Sequence, residues 1–188
     1  MRRLRIAWLG VALAGAAADE VAANDKEVTA YQIPAAACSR VDSGATSLLK
    51  NFGAEWALSL GPMPTAKFAY VACAINLTNV RSGASTAATR ISRFRVSYLD
   101  SDGNGTGSQL LVRLLEARTS TSGQLLANLK CTFDSNTNGS GATSYTRATR
   151  ACALTLQAGS AYIYEVTLRA GKPSGNTSVN FVGIDFPP

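Results

Sequence analysis

Residues 91–99 read ISRFRVSYL, and this stretch indicates the fold class. Phe94, Val96 and Tyr98 fall on one side of an extended chain, together with Ser92, while two arginines fall on the other. Successive side chains of a β-strand point to opposite faces of the sheet. The alternation therefore predicts a strand that buries one face and exposes the other to solvent.

The same period recurs in both directions along the chain. Residues 110–117, LLVRLLEA, are rich enough in leucine for a helix. However, Leu110, Val112 and Leu114 alternate with the residues at positions 111, 113 and 115, and this alternation favours a strand. Further strands are predicted at residues 28–33, 56–60, 67–77, 125–133, 145–156, 161–170 and 178–186.

The segments between these strands are rich in Gly, Ser, Asn and Thr, as in RSGASTAAT and SNTNGSGATS. Such residues tolerate turn geometry and hydrogen-bond their own backbone, so we interpret the segments as loops and not as linkers between domains. Eight or nine short strands joined in this way predict an all-β fold, an antiparallel β-sandwich that could take the jelly-roll form. The order of the strands stays open at this point.

The first 23 residues predict a secretory signal peptide. Three arginines are followed by an apolar run from residue 6 to residue 18, which is too short for a membrane anchor. Cleavage fits after Ala18 or after Ala23, and we favour Ala23. Residues 24–188 then form a single domain with 15 basic and 10 acidic residues, a net charge of +5. We expect a secreted, periplasmic or cell-surface protein with no membrane span and no nucleic-acid partner.

Four cysteines remain in the mature chain: Cys38, Cys73, Cys131 and Cys152. An even number in an exported protein predicts two disulfides, although four cysteines allow three connectivities. We expect Cys38–Cys73 and Cys131–Cys152, because sequential pairing joins neighbouring strands. Zinc ligation is disfavoured, because the sequence has no histidine and the cysteines are single and widely spaced.

Residues 99–109, LDSDGNGTGSQ, resemble the start of a calcium-binding loop. Asp100, Asp102 and Asn104 occupy positions 1, 3 and 5, and a glycine occupies position 6. Position 12, which supplies a bidentate glutamate in an EF-hand, is Leu111. We therefore favour a plain loop between two strands and expect no cofactor. The alternative is weak calcium binding by Asp100, Asp102 and Asn104.

Three arginines predict a basic patch. Arg93 and Arg95 lie on the polar side of one strand, and Arg113 lies on the next strand. If the two strands pair in simple register, the three guanidinium groups share one face and suit carboxylates, sulfates or phosphates. The alternative, which we favour, is a solvated sheet face whose charges discourage edge pairing.

Catalysis has little support in the sequence, and we expect no enzyme. Histidine, the commonest general base, is absent, and no nucleophile elbow or phosphate-binding loop occurs. Aromatic residues offer a sugar-binding platform as an alternative, but we expect each tyrosine to pack in the core with its hydroxyl at the rim. The aromatic residues considered are Trp56, Tyr70, Tyr98, Tyr145, Tyr162 and Tyr164.

Two families share features with this chain. IPAAAC at residues 33–38, YVACAINL at residues 70–77 and the later cysteine pair resemble small exported bacterial β-sandwich proteins with two disulfides. That resemblance implies a fold and carries no catalytic residues. The early cysteine pair and the closing strand SVNFVGIDF also resemble fimbrial subunits of the chaperone–usher type, which would imply strand addition by residues 24–37. The second cysteine pair and the terminal Pro187-Pro188 depart from the fimbrial pattern.

These observations lead to a first hypothesis of a non-enzymatic secreted or cell-surface β-sandwich. It would serve surface structure or bind a glycan or another anionic envelope component. The second hypothesis is a polymerising, self-associating pilus or fibre subunit that donates its N-terminal strand to a neighbour. The third is a small hydrolase that uses carboxylates.

Overall fold

The computed structural model describes residues 26–27, 31–41, 48–75, 89–119, 121–138, 143–156 and 160–186. The predicted signal peptide, residues 1–23, lies outside these ranges and stays a prediction. The described residues form twelve β-strands, one 3₁₀ turn (Ala35–Ala37) and one short helix, α1 (Ser135–Asn138). The strands are β1 (Lys26–Glu27), β2 (Tyr31–Pro34), β3 (Ser39–Val41), β4 (Leu49–Asn51), β5 (Trp56–Leu60), β6 (Lys67–Ala74), β7 (Thr89–Asp100), β8 (Ser108–Thr119), β9 (Leu125–Asp134), β10 (Thr146–Leu156), β11 (Ala161–Ala170) and β12 (Thr177–Phe186).

The strands form two sheets. The first sheet has the order β1-β7-β12-β5-β4, with β10 paired to β7 and β2 paired to β12. The second sheet has the order β3-β6-β11-β8-β9. Within the described residues, every pairing is antiparallel except that of β1 with β7. The predicted all-β, antiparallel β-sandwich is therefore confirmed, with more strands than the eight or nine expected.

The two sheets pack face to face through the apolar side of each strand. Phe94 of β7 contacts Tyr164 of β11 with ring centroids 5.6 Å apart, and Tyr98 of β7 contacts Phe133 of β9 at 5.3 Å. All four side chains are fully buried. The alternation in residues 91–99 thus fixes which side chains of β7 enter the core, and aromatic pairs across the interface stabilise the sandwich.

The expected pairing of β7 with β8 is wrong. These two strands lie in different sheets, and the segment between them, residues 101–107, carries the chain from one sheet to the other. Two alternating strands in succession can form a hairpin or can face each other across a core, because both arrangements bury the same apolar sides. The short strands β3 and β4 were also absent from the prediction, since three residues are too few to show a period.

The N-terminal arm adds a strand to its own sheet. Residues 31–34 pair with β12 of the same chain, in the register Ile33 opposite Ile184 and Pro34 opposite Gly183. A Cβ atom at Gly183 would lie 2.8 Å from the carbonyl oxygen of Ile33, so this close approach requires glycine. Donation of this strand to a neighbouring chain stays an unsupported prediction, and part of residues 24–37 lies outside the described ranges.

Both predicted disulfides form, and the described residues include no free cysteine. Cys38–Cys73 links the residue immediately before β3 to the neighbouring strand β6 of the second sheet. Cys131–Cys152 differs from the expectation, because β9 and β10 are not neighbours in one sheet. It joins the edge strand of the second sheet to β10 of the first sheet, and so closes one side of the sandwich.

Candidate functional site

Three polar side chains meet on the outer face of the first sheet. The Tyr145 hydroxyl donates to Oε2 of Glu55 at 2.6 Å. The amide nitrogen of Asn180 donates to Oε1 of Glu55 at 3.0 Å and to the Tyr145 oxygen at 2.9 Å. Each group contacts the other two, so the three side chains fix one another in a closed arrangement, called here the tyrosine triad.

Strand register brings the tyrosine triad together. Asn180 lies in β12 opposite Ala57 of β5 and Leu99 of β7. Its neighbours along β12 point into the core, so its own side chain faces outward. Glu55 immediately precedes β5, which pairs with β12, and Tyr145 immediately precedes β10, which is separated from β12 by β7. The two side chains therefore approach Asn180 from opposite sides of β12.

The ring of Tyr145 is exposed although its hydroxyl is held. The exposed fraction of the whole residue is 57%. The hydrogen bond to Glu55 raises the pKa of the Tyr145 hydroxyl above its usual value, and partial burial of the hydroxyl raises it further. The hydroxyl therefore keeps its proton and remains a donor. The result is an aromatic surface that faces solvent in a fixed orientation. Fixing it in advance removes part of the rotamer entropy that a ligand would otherwise have to offset.

The prediction that every tyrosine packs in the core is wrong for Tyr145. Core packing is confirmed for Tyr98, Tyr162 and Tyr164, which are at most 2% exposed, and Tyr70 is half-buried. The hydroxyl groups of Tyr98 and Tyr164 are buried as well, so the expected position of the hydroxyl at the rim is wrong for these two residues. Tyr145 differs because it precedes its strand, where no alternation fixes the direction of a side chain. Glu55 and Asn180 carried no motif in the sequence, and only the register of three strands shows that they belong to one site.

A groove continues from Tyr145 along β12 in one direction. A depression of about 510 Å³ is lined by Ser97, Tyr145, Arg147 and Val182. It adjoins a depression of about 290 Å³ that shares Ser97, Arg147 and Val182 and reaches Asp185. Arg95 binds Asp185 there, with its Nε 2.8 Å from Oδ1 and a terminal nitrogen 3.1 Å from Oδ2.

A separate depression lies towards the start of β12. Two residues before Asn180 on the same face of β12 lies Ser178, which lines a depression of about 470 Å³. This depression is rich in hydroxyl and amide groups, with no charged residue among its lining residues. Its polar lining residues are Ser59, Ser101, Asn176, Thr177 and Ser178. We call the whole surface, from Asn176 through the tyrosine triad to Asp185, the β12 groove.

The three residues named as possible calcium ligands have different surroundings in the structure. Asp100 is fully buried, and its two oxygens accept hydrogen bonds from Ser108 at 2.5 Å and Ser135 at 2.6 Å. Asp102 accepts from the backbone N–H groups of Gly107 at 2.6 Å and Ser108 at 3.1 Å. Asn104 is exposed. Within the described ranges, no group of three or more His, Cys, Asp or Glu residues is arranged to hold a metal ion.

The predicted basic patch does not form as expected. Arg93 and Arg95 lie on the first sheet and Arg113 lies on the second, because β7 and β8 do not pair. Arg113 instead forms an ion pair with Glu165 of the neighbouring strand at 3.1 Å. The outer face of the first sheet gains a different cation, since Arg147 of β10 lies opposite Ser97 of β7.

A second charged cluster lies at the far end of the second sheet. The side chain of Glu116 is 1% exposed and forms ion pairs with Arg118 and, at 2.7 Å, with Lys130. Tyr162 also donates to Glu116 at 3.1 Å. Burial alone would raise the pKa of Glu116, but the hydrogen bonds from Lys130 and Arg118 outweigh it and lower the pKa to about 2. Every charge of this cluster is paired, which indicates a structural role.

Comparisons with known proteins give distant structural similarity only. No family pattern matches the chain, and no curated protein is similar to it in sequence. A structure described as the xylan-binding module CBM15 is 11% identical, with a TM-score of 0.43 over 84% of this chain and 94% of that one. TmCBM61, solved in complex with β-1,4-galactotriose, is 8% identical, with a TM-score of 0.36 over 87% of this chain and 92% of that one. A family 22 carbohydrate-binding module of Clostridium thermocellum Xyn10B is 11% identical, with a TM-score of 0.38 over 81% and 91%.

These scores are too low to assign this chain to any of those families. Among the described residues, no helix is long and apolar enough to span a membrane.

Proposed function

We propose that this protein binds a glycan, without catalysis, in the β12 groove. The observation that carries the proposal is the tyrosine triad: Tyr145 is 57% exposed while Glu55 and Asn180 hold its hydroxyl. A fixed exposed aromatic ring between two polar depressions suits a sugar, whose ring has an apolar C–H face and a rim of hydroxyl groups.

The polar groups of the triad complement such a ligand. Glu55 uses one hydrogen bond at each carboxylate oxygen. An ionised carboxylate offers about four acceptor positions. Glu55 can therefore accept further hydrogen bonds from sugar hydroxyls beside the ring, while Ser59 and Asn176 offer partners in the uncharged depression.

Several features support binding and not catalysis. The sequence contains no histidine. The carboxylates of the groove, Glu55 and Asp185, are both held by neighbouring side chains of the chain. Two disulfides support a protein that works in an oxidising compartment outside the cytoplasm, where glycans of cell walls and envelopes are accessible.

The test compares binding to an array of purified plant and bacterial polysaccharides for wild type, Tyr145→Ala and Tyr145→Phe. We expect Tyr145→Ala to lose at least about tenfold in affinity, as truncation of an aromatic anchor usually does. Tyr145→Phe should retain more affinity, because the ring remains although the hydrogen bonds of the triad are lost.

Phe68→Ala is the matched control. Phe68 is also an exposed aromatic residue, 43% exposed, but it lies on the outer face of the second sheet beside Arg169. Its replacement should leave glycan binding unchanged. Full binding by folded Tyr145→Ala, or a loss caused by Phe68→Ala instead, would contradict the proposed site.

A further inference from the structure

The β12 groove contains one cation without a partner in the described chain. Arg147 is exposed and lines both depressions on its side of Tyr145. Within the described part of the chain, its guanidinium group forms no hydrogen bond or ion pair, unlike Arg95 and Arg113, which bind Asp185 and Glu165. A guanidinium group is always charged and presents its donors in a planar fork.

The two acidic groups of the groove do not pair with Arg147 in the described part of the chain. Asp185 lies directly opposite Arg95 in the register of β12 and β7, and it accepts both hydrogen bonds from that residue. Its carboxylate is therefore neutralised before any ligand arrives. Glu55 is held by Tyr145 and Asn180 in the tyrosine triad. The positive charge of Arg147 is therefore left for a group from outside the chain.

The two halves of the groove differ in charge. The depression beyond Ser178 is lined by hydroxyl and amide groups without a charged residue, whereas the other half contains Arg147 and the neutralised pair of Arg95 and Asp185. From Ser178 to Asp185 a strand extends roughly 23 Å, at about 3.3 Å per residue. That length accommodates several sugar units, so one ligand can meet both environments.

We propose, on the basis of the proposed glycan site, that the ligand is an anionic glycan whose carboxylate or sulfate group binds Arg147. The uncharged units of the same glycan occupy the half of the groove near Ser178. Tyr145 stacks against the sugar between them. Arginine suits this role because carboxylate and sulfate oxygens can accept two parallel hydrogen bonds from its fork.

The experiment measures affinity for two pairs of probes by isothermal titration calorimetry. The first pair is polygalacturonic acid and its fully methyl-esterified form, which differ only in the carboxylate. The second pair is heparin and a desulfated heparin, which differ in sulfate. Variants are Arg147→Gln, Tyr145→Ala and the control Arg113→Gln, whose arginine lies on the other sheet. We expect Arg147→Gln to weaken binding of the preferred acidic probe about tenfold, as loss of a charge-assisted hydrogen bond does.

The outcomes separate this inference from the proposed function. Equal affinity for the acidic and neutral member of both pairs, with Tyr145→Ala still reducing binding, overturns the anionic preference and leaves glycan binding intact. Equal losses in Arg147→Gln and Arg113→Gln indicate attraction by the net charge alone and also overturn it. If no probe and no polysaccharide of the array binds, both proposals fail together. The pair that shows the larger difference identifies carboxylate or sulfate.

Discussion

Asp100 and Asp102 share the hydroxyl group of Ser108, which lies 2.5 Å from Oδ1 of Asp100 and 2.6 Å from Oδ1 of Asp102. A hydroxyl has one proton to donate, so it cannot donate to two ionised carboxylates at once. Burial, together with the nearby charge of Asp102, raises the pKa of Asp100. We infer that Asp100 takes up a proton at a higher pH than Asp102 does, and that the protonated group then donates to Ser108, which donates to Asp102.

Asp100 should make the stability of the fold fall as the pH rises from the acid side. A carboxyl group whose pKa is raised in the folded state contributes fully to stability below its pKa in the unfolded state, about 3.9. This contribution is lost as the pH rises through the pKa of the folded state. Asparagine cannot ionise, so the melting temperature of Asp100→Asn should increase relative to that of wild type as the pH rises. Thermal unfolding of both proteins from about pH 4 to about pH 8 measures this. A constant difference between them would contradict the inference.

Asp102 should behave in the opposite way. Burial would raise its pKa, but hydrogen bonds from Ser108 and from the backbone of Gly107 outweigh burial and lower it. Its contribution is therefore present above about pH 3.9 and is lost as pH falls. Asp102→Asn should cost roughly 1–3 kcal/mol of unfolding free energy near neutral pH and less in acid. Denaturant unfolding of wild type and Asp102→Asn at neutral pH and in acid measures this cost. A larger cost in acid than at neutral pH would contradict the prediction.

Calcium should have little effect on stability. The oxygens of Asp100 and Asp102 already accept hydrogen bonds from Ser108, Ser135 and Gly107, and Asp100 is fully buried. We expect the melting temperature in millimolar calcium to match that in a chelator, since a ligand stabilises only by binding the folded state. A rise of several degrees that Asp102→Asn abolishes would establish the alternative, a calcium site.

Glu116 should govern acid stability. Its pKa is lowered to about 2 by Lys130 and Arg118 against the effect of burial. The stabilisation is thus present above the unfolded value of about 4.3 and declines as pH falls towards 2. Glu116→Gln should be less stable than wild type at neutral pH, and the difference should shrink in acid. Glu165→Gln, in an exposed pair with Arg113, is the matched control and should change little.

Loss of Cys131–Cys152 should destabilise the sandwich by separating its sheets at one side. The bridge spans 21 residues and joins strands of different sheets. The chain-entropy treatment gives about 3 kcal/mol for a loop of this length. The double variant Cys131→Ser/Cys152→Ser should therefore melt several degrees lower with an unchanged β-sheet spectrum. An unaltered melting temperature in a folded variant would refute the structural role of this bridge.

The sequence by itself determined which segments are strands and which of their side chains face the core. Alternation identified residues 161–170 as a strand with the bounds of β11, Ala161–Ala170, and it placed Phe94, Val96 and Tyr98 inside. Cysteine order also identified both disulfides. These properties are local or nearly so: a side chain's face depends on whether its position is odd or even in the strand, and two residues suffice to define that period.

Only the tertiary structure decided which strands are neighbours, and the candidate site depends on that. Glu55 and Tyr145 are 90 residues apart, and Glu55 and Asn180 are 125 apart, yet each pair forms a hydrogen bond. The order of the strands also places Arg113 on a different sheet from Arg95 and brings Arg147 beside Ser97. Strand order follows from how distant segments pack and close their loops. An alternating pattern buries equally well against several partners, so it fixes the face of each residue and leaves its neighbours undetermined.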